Sequence, residues 1–299
     1  MLQKFDERNA DVIVSVGGRL THRDRASVSP FDSSVQGGDA VWEGLRLYQG
    51  RIFRLAEHLA RLRRSAQALA FSSIPSDEEI TEQIRVTLQA NTMTDNVHIR
   101  LTLTRGVKIT SGMDPRLNQN GPTLIVLAEH KAPVYDASGI RLITASVRRP
   151  PPDYLDPKIH HNNLLPSILA KIEANVAGAD DAVMLDHRGF VAETNATHLF
   201  LVNGGRLGTP AALACPEGIT RAAVLEIAAG AGLERDVADF SLTQFYAADE
   251  VFVTGTMGGL APVAEIDGRV IGTGSAGPVT TQLMALFADL TAHSGTPVA

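Results

Sequence analysis

Hydrophobic and polar residues alternate along several stretches in the first part of the chain. From Asp11, the stretch DVIVSVGGRLTHRDRASV alternates around a Gly-Gly pair, which predicts a β-hairpin that leads into a loop. The stretches HIRLTLTRG and TLIVLAEH are also predicted to be strands. Before them, apolar residues recur at helical spacing, and this predicts that AEHLARLRRSAQALA is an amphipathic helix. These residues are Leu55, Leu59, Leu62, Ala66 and Leu69. The first part is therefore predicted to be an α+β domain built on an antiparallel sheet.

A break in this pattern predicts a domain boundary. The stretch KAPVYDASG carries Pro, Asp, Ser and Gly between two apolar strands, so we expect a linker at 132–138 between a small α+β domain at 1–131 and a larger α/β domain at 139–299. Beyond the linker, the pattern predicts the strand IRLITASV, a helix from about Leu165 to Val176, and a hairpin in DAVMLDHRGFVAET. Another hairpin is predicted in APVAEIDGRVIGTG. Internal repeats are absent, which excludes solenoids and propellers.

Composition and charge narrow the class of protein. The chain has 299 residues, 44% of them hydrophobic, and a net charge of -6 without a basic tract, which argues against a nucleic-acid surface. Its apolar runs fall short of the roughly 18 to 20 residues that a membrane helix requires, and the amino terminus lacks an apolar signal core. The one cysteine, Cys215, can form neither an internal disulfide nor a cysteine-rich zinc site. We expect a cytoplasmic protein that acts on small molecules.

Lys158 is the first candidate for chemistry. It is one of only five lysines, and it lies in the stretch PPPDYLDPKIHHNNLLPSILAK. A lysine in a loop is most often a solvated charge, because lysine becomes catalytic only when its amine is held unprotonated. Its position alone therefore does not assign a role.

Four other stretches contain residues suited to binding an anion or a charged ring. Gly218 precedes a predicted helix in GITRAAVLEIAAGAGL, and a helix start favours phosphate. The strand in DEVFVTGTMGGLAPV ends in small residues that let backbone amides approach a ligand. Glu193 interrupts an otherwise apolar strand, and Arg61 lies on the predicted amphipathic helix. Each of these features also has an ordinary structural explanation.

The order of these stretches along the chain resembles the class IV, or fold-type IV, aminotransferases that use pyridoxal phosphate. Among these, the chain is most similar to the branched-chain amino acid aminotransferases. The resemblance includes GDAVWEGLRLYQGRIFRLAEHLARL, the Lys158 segment, GADDAVMLDHRGFVAETNATHLF, GITR, YAADEVFVTGTMGGLAPVAEIDGRVIG and the closing GPVT. It implies a two-domain α+β fold of the D-amino acid aminotransferase type, an active site between the domains and a homodimer.

The resemblance also implies roles for individual residues. Lys158 would hold pyridoxal phosphate as a Schiff base and, once freed by the substrate, would carry the proton from the substrate α-carbon. Glu193 would keep the pyridine nitrogen protonated. Arg61 matches the family's phosphate arginine. The remaining residues assigned to cofactor binding are Ile219, Thr220, Thr256 and Asn195.

The chain departs from the family pattern in the predicted substrate pocket. Asn162-Asn163-Leu164 stands where branched-chain enzymes have a tyrosine, which leaves the contact to the cofactor's 3′-oxygen without its usual residue. Arg100 is expected to receive the side-chain carboxylate of glutamate. The other predicted substrate residues are Trp42, His98, Met257, Gly37 and Arg116. The adjacent pair His160-His161 suggests metal binding only superficially, because neighbouring histidines point in different directions, and we expect no metal site.

The expected reaction is transfer of an amino group between a branched-chain or similar apolar amino acid and a 2-oxo acid such as 2-oxoglutarate. Two alternatives share the fold: a D-amino acid or (R)-amine transaminase, and an aminodeoxychorismate lyase. Arg116, in the long polar loop TRGVKITSGMDPRLNQNG, would be a carboxylate trap of the D-specific kind. A third alternative is a binding protein that keeps the scaffold without the cofactor.

Overall fold

The computed structural model describes residues 3–135 and 138–298, which form two compact units. The seven-stranded unit contains residues 3–132, 159–163 and 291–298. The nine-stranded unit contains residues 133–135, 138–158 and 164–290. Within the described ranges, no helix is both long and apolar enough to cross a membrane.

The seven-stranded unit is built on one antiparallel sheet with strand order β16-β4-β3-β5-β6-β1-β2. Its strands are β1 (Ile13–Val16), β2 (Arg19–His22), β3 (Ala40–Tyr48), β4 (Arg51–Ile52), β5 (Val97–Thr104), β6 (Thr123–His130) and β16 (Thr296–Pro297). Its helices are α1 (Ser33–Gly37), α2 (Leu55–Ala68) and α3 (Asp77–Ala90), with short 3-10 turns at Glu7–Asn9, Arg23–Arg25 and Pro115–Leu117.

The two long central strands of this sheet present different chemistry on their two faces. Successive side chains of a strand point to opposite faces, so Leu45 and Ile99 lie in the apolar core with residues of α2 and α3. The opposite face of β3 carries Trp42, Gly44 and Arg46. Their partners on β5 are polar: Gly44 faces Arg100, and Arg46 faces His98. This face carries Trp42, His98 and Arg100, three of the six residues that the sequence assigned to substrate recognition.

Two distant segments complete the seven-stranded unit. Thr296–Pro297 pairs with β4, which adds a strand to the edge of the sheet. Residues 159–163 bind β3 through two backbone hydrogen bonds: the Trp42 amide donates to the His160 carbonyl at 2.9 Å, and the Asn162 amide donates to the Ala40 carbonyl at 2.9 Å. The sequence division at 132–138 did not place these two segments with the first sheet.

The nine-stranded unit has a mixed sheet in the order β12-β11-β10-β13-β14-β7-β8-β9, with β15 paired to β14. Its strands are β7 (Ile140–Thr144), β8 (Asp181–Leu185), β9 (Val191–Thr194), β10 (His198–Asn203), β11 (Arg206–Pro210), β12 (Arg235–Ala238), β13 (Glu250–Gly255), β14 (Gly259–Ile266) and β15 (Arg269–Val270). Its helices are α4 (Leu165–Val176), α5 (Ile219–Gly230), α6 (Leu242–Tyr246) and, as far as Leu290, α7 (Pro278–His293).

Helix α4 follows the Lys158 segment and packs through small residues. Ala170 and Ala174 are fully buried, and they pack in one cluster with Ala182 and Met184 of β8. The larger apolar side chains of this helix point outward and are exposed; they are Leu165, Ile168, Leu169, Ile172 and Val176. The helix therefore contacts β8 closely and carries an exposed apolar stripe.

Candidate active site

Lys158 has an exposed side chain on the loop that precedes α4 in the sequence. Its backbone amide donates to Asp156 Oδ1 at 2.9 Å, which fixes the turn before the lysine. Its ammonium donates to the carbonyl oxygen of Ala212, a neutral acceptor. The amine of Lys158 is thus held by an uncharged group at the surface of the nine-stranded unit.

Glu193 lies on β9 and is buried. Its carboxylate faces the guanidinium of Arg149, with 2.8 Å between Oε1 and Nη2. Arg149 is held by two further contacts, because it donates to Ser167 Oγ at 3.2 Å and to the Thr194 carbonyl at 2.9 Å. A buried carboxylate needs such a counter-charge, since burial alone disfavours its ionised form. Arg149 therefore supplies the counter-charge for the Glu193 carboxylate inside the nine-stranded unit.

His198 and Cys215 lie beside this carboxylate. The ligand atoms of Glu193, His198 and Cys215 lie within 4.8 Å of one another, and all three residues are buried. Burial and the charge of Glu193 raise the pKa of the Cys215 thiol, while the charges of Arg149, Arg221 and Lys158 lower it. The donor types and spacing would suit a metal, but the raised pKa favours a neutral thiol and Arg149 already faces the carboxylate. Because the Lys158 amine donates to the carbonyl of Ala212, three residues before Cys215, the lysine lies near the segment that carries this thiol.

The first turn of α5 approaches the same cluster. Gly218 precedes the helix, and a Cβ atom at this position would lie 2.2 Å from His198 Cδ2. Only glycine therefore allows the helix to begin against the imidazole. Ile219 and the buried Thr220 form the first turn, whose unpaired amides and dipole favour an anion.

The predicted glycine-rich turn after β13 also lies near this cluster. His198 on β10 pairs directly with Thr254 on β13, so the chain leaves β13 at Gly255 close to the Glu193 segment. Thr256 and Met257 follow in the turn before β14 and are half-buried. The structure thus brings Lys158, Glu193, the start of α5 and this turn together within one unit.

Asn195 has its side chain engaged with β8. Its Oδ1 accepts from the Ala182 amide at 2.8 Å, and its Nδ2 donates to Asp181 Oδ1 at 3.1 Å. These contacts stabilise the turn after β9. A contact between Asn195 and the cofactor stays a prediction.

In the seven-stranded unit, Arg61 is part of a buried charged cluster. Its Nε and Nη2 donate to the two carboxylate oxygens of Glu43 at 2.8 and 2.6 Å. His58 Nδ1 lies 2.7 Å from Glu43 Oε2, and His160 Nδ1 lies 3.4 Å from Glu43 Oε1. Burial raises the pKa of Glu43, but Arg61 and His160 outweigh it and hold the pKa well below the usual range. Glu43 therefore fixes the orientation of the arginine assigned to phosphate binding.

Arg100 and Trp42 form a second cluster on the opposite face of this sheet. The Arg100 guanidinium carbon lies 3.5 Å from the centre of the Trp42 ring, and Nη2 donates to Asn162 Oδ1 at 3.1 Å. The indole Nε1 donates to the His161 carbonyl at 3.0 Å, and the ring stacks on His160 at 4.2 Å. Burial lowers the pKa of Arg100 to about 10, at which it stays charged at neutral pH. These contacts fix the positions of two predicted substrate residues.

Two other predicted substrate residues of this unit lie in exposed segments, whereas His98 is buried on β5. Gly37 ends α1 and is exposed. Arg116 is also exposed, and its guanidinium forms an ion pair with Asp114, a near neighbour in the chain. Their roles in substrate binding stay predictions.

A model of the family described as amino-transferase class IV matches residues 40–266 of this chain. The chain belongs to the class IV aminotransferases. The branched-chain-amino-acid aminotransferase-like protein 2 of Arabidopsis thaliana is 56% identical over 97% of this chain, but the chain spans only 52% of that relative. The putative branched-chain-amino-acid aminotransferase of Methanocaldococcus jannaschii is 40% identical, with 95% of this chain and 98% of that protein covered.

Solved structures of branched-chain aminotransferases also match this fold. A crystal structure of a branched-chain amino acid aminotransferase complexed with N-(5′-phosphopyridoxyl)-L-glutamate matches with a TM-score of 0.88 at 35% identity, over 94% of both chains. The branched-chain aminotransferase of the thermophilic archaeon Thermoproteus uzoniensis with norvaline also matches with a TM-score of 0.88, at 28% identity over 97% of this chain and 100% of that chain. The predicted α+β class and the fold-type IV aminotransferase fold are therefore confirmed.

The sequence did not identify the two charged residues that form ion pairs with predicted cofactor residues. They are Arg149 and Glu43, and each forms a buried ion pair with a predicted cofactor residue. Cys215 was noted only as a single thiol. Glu43 lies in the sequence WEGLR, where an acidic residue interrupts an apolar strand. The same signal marked Glu193, and it could also have identified Glu43.

Proposed function

We propose that the chain is a pyridoxal-phosphate-dependent aminotransferase of the branched-chain type. The observation that carries the proposal is the exposed amine of Lys158 on the Ala212 carbonyl, three residues before the Cys215 that lies beside the buried Glu193–Arg149 pair. A lysine amine, a buried carboxylate and an open helix start are the groups that this cofactor needs. The names of the curated relatives and the phosphopyridoxyl compound in the structural neighbour support the same reaction.

When bound, pyridoxal phosphate supplies an electron sink for the bond broken at the substrate α-carbon. Lys158 would hold the cofactor and then move the α-proton with its free amine. Glu193, compensated by Arg149, would accept a hydrogen bond from the protonated pyridine nitrogen. The amides of Ile219 and Thr220 and the hydroxyl of Thr256 would bind the phosphate. For Arg61, the role of phosphate arginine stays what the family resemblance implies.

Replacement of Lys158 with alanine tests the proposal. The variant should fold and lose transamination between L-leucine and 2-oxoglutarate, because the change removes the amine without removing a buried side chain. Borohydride reduction of the wild-type holoenzyme should place the cofactor on the peptide that contains Lys158. Lys4→Ala is the control: this lysine is also exposed, and its loss should leave turnover within about twofold. Near-normal turnover of Lys158→Ala without added amine would contradict the assignment.

The substrate is proposed to be a branched-chain or similar apolar amino acid, with a 2-oxo acid such as 2-oxoglutarate as acceptor. Arg100 stays the residue proposed to receive the distal carboxylate. A panel of L-leucine, D-alanine, L-glutamate and (R)-1-phenylethylamine, followed by loss of the cofactor absorbance, separates the L-specific reaction from its alternatives. A response to D-alanine or the (R)-amine alone would exclude the branched-chain assignment.

The homodimer and the cytoplasmic location also stay proposals. The exposed apolar stripe of α4 is a surface of the kind that protein contacts cover. Sedimentation of the wild type and of Ile172→Glu would test whether this stripe is the dimer contact. A charge in a dimer contact should shift the protein toward the monomer.

A further inference from the structure

His198 is a buried histidine beside the proposed cofactor residues, and the proposed reaction gives it no role. It lies on β10 and is 8% exposed. Its Nδ1 lies 3.9 Å from the Cys215 sulfur, and the ligand atoms of Glu193, His198 and Cys215 lie within 4.8 Å of one another. Burying a polar ring costs free energy, so the position of this imidazole requires an explanation.

The ring of His198 occupies the space where α5 begins. A Cβ atom on Gly218 would lie 2.2 Å from His198 Cδ2 and 2.3 Å from Nε2, whereas real Cβ atoms essentially never come closer than 3.0 Å to another heavy atom. Gly218 has φ -68° and ψ 124°, a backbone conformation that any residue adopts. The chain therefore needs glycine at this position because of the imidazole and not because of the backbone.

The backbone of Gly218 lies against this ring, and the first turn of α5 follows at once. The amides of Ile219 and Thr220 belong to that turn, and they are proposed to bind the phosphate. Gly218 is the N-cap of the helix, and glycine has no side chain that could accept a hydrogen bond from these amides. The imidazole therefore limits how closely the first turn approaches β10, and the N-cap residue does not occupy the amides.

His198 is itself held in place by the sheet. Its backbone pairs with Thr254 of β13, two residues before Thr256, whose hydroxyl is also proposed to bind the phosphate. Glu193, the proposed partner of the pyridine nitrogen, lies in the same cluster as the imidazole. One side chain thus lies beside the carboxylate of Glu193, the start of α5 and the strand that leads to Thr256.

Gly208 has a similar steric requirement on the opposite face of the same sheet. A Cβ atom at this position would lie 2.7 Å from Phe240 Cζ. Gly208 pairs with Leu201 of β10, which is three residues beyond His198 and therefore points to the other face. Leu201 and Phe240 both lie in the apolar core of this unit. Packing alone predicts the same behaviour for substitutions of Gly208 and Gly218, so the two positions distinguish a role in packing from a role in cofactor binding.

We propose that His198 is a positioning residue, whose ring sets the place of the first turn of α5 and thereby the place of the cofactor's phosphate. The proposal rests on the proposed aminotransferase function, because it concerns the cofactor of that reaction. His198 acts through the backbone of Gly218 and not through a bond to the cofactor. A change in the contact between His198 and Gly218 should therefore weaken recognition of the phosphate and spare recognition of the pyridine ring.

Titration of the cofactor-free chain with pyridoxal phosphate and with pyridoxal tests this assignment. The two compounds share the ring and the aldehyde, so the ratio of their dissociation constants, measured by absorbance, reports on the phosphate site. Gly218→Ala should weaken pyridoxal phosphate roughly 10- to 150-fold and leave pyridoxal within about twofold, because displaced amides lose charge-assisted hydrogen bonds. His198→Ala combined with Gly218→Ala should recover most of the lost affinity, because the added methyl group enters the space of the removed ring.

Gly208→Ala is the matched control. It introduces a similar overlap and should lower the free energy of unfolding in urea, but it should leave the ratio of the two dissociation constants within about twofold of the wild-type ratio. If Gly218→Ala does not fold, His198→Ala alone decides the question, because it keeps Gly218 and removes the ring that supports it. Pyridoxal phosphate should then be weakened more than pyridoxal.

Two outcomes would overturn the proposal. One is an unchanged ratio in both Gly218→Ala and His198→Ala. The other is an equal loss in Gly218→Ala and in the double variant, since the helix start would then not rest on the ring. The proposed function is measured separately. A wild type that binds pyridoxal phosphate but transfers no amino group from any donor of the panel refutes the aminotransferase function and leaves the phosphate assignment standing, whereas a wild type that binds no pyridoxal phosphate refutes both.

Discussion

Replacement of Glu43 with glutamine would remove the negative charge that faces Arg61 inside the seven-stranded unit. Glu43 is fully buried, and both its oxygens accept from Arg61, at 2.8 and 2.6 Å. Glutamine has nearly the same shape but carries no charge, and its amide nitrogen is a donor that would face other donors. The variant therefore tests the charge with little change in packing.

The magnitude follows from the burial of the pair. Removing one partner of a buried ion pair typically costs about 3 to 5 kcal/mol, because the other charge stays in a poorly solvated place. Arg61 is 7% exposed and cannot regain full hydration without a local rearrangement. We therefore expect Glu43→Gln to lower the free energy of unfolding by about 3 to 5 kcal/mol at neutral pH.

The chain contains a matched control for this variant. Glu82 also accepts two hydrogen bonds from one arginine, with Arg85 Nε at 2.7 Å and Nη2 at 2.6 Å, but the side chains of Glu82 and Arg85 are 52% and 40% exposed. Exposed pairs contribute about 0 to 1 kcal/mol, so Glu82→Gln should change the stability little. Urea unfolding of both variants measures the comparison. Equal losses in the two variants would refute the reasoning, because the bonding geometry is shared and the burial is not.

The pH dependence of stability gives a second test of the same pair. The pKa of Glu43 lies well below its ordinary value of 4.5 in the folded protein. A depressed pKa adds stability that is fully present above the unfolded value and is lost as the pH falls through the folded value. The stability advantage of the wild type over Glu43→Gln should therefore shrink as the pH falls below 4.5 toward the folded pKa of Glu43. A difference that grows on acidification would contradict the assigned sign.

Two further predictions concern the nine-stranded unit. Glu193→Gln should raise the dissociation constant for pyridoxal phosphate roughly 10- to 150-fold and shift the cofactor absorbance, because it removes a charged hydrogen-bond partner; unchanged titration and spectra would place another group at the ring nitrogen. Cys215 should react far more slowly with a thiol reagent in the folded than in the unfolded protein at pH 8, because burial and the charge of Glu193 raise its pKa. Equal rates of thiol release, followed by absorbance, would show that the thiol is accessible.

Regular patterns of apolar residues predicted much of the secondary structure. The helix expected from about Leu165 to Val176 is α4, and the strand expected in TLIVLAEH is β6. Helix α3 was not predicted, although Ile80, Ile84 and Leu88 recur at helical spacing and are buried. Ser76 and Glu79 form a capping box at its start, a signal that the sequence contained.

The sequence identified the motif residues of the site but not the residues that neutralise their charges. The resemblance assigned Glu193 and Arg61, but local patterns contain no information on which distant residue neutralises each charge. Arg149 reaches Glu193 from the loop after β7, and Glu43 reaches Arg61 from β3. Such pairs depend on tertiary packing, and a sequence pattern of period two or 3.6 describes only one element at a time.

The pairing of Arg61 with Glu43 also changes how variants of the proposed phosphate site must be interpreted. An arginine that binds phosphate and also compensates a buried carboxylate affects cofactor affinity and stability together. Loss of cofactor from an Arg61 variant would follow either from a missing phosphate contact or from disorder around the uncompensated Glu43. Glu43→Gln separates these causes, because it keeps the guanidinium and removes only the group that orients it. If cofactor affinity falls in Glu43→Gln while the protein stays folded, then the orientation of Arg61, and not its charge alone, determines phosphate binding.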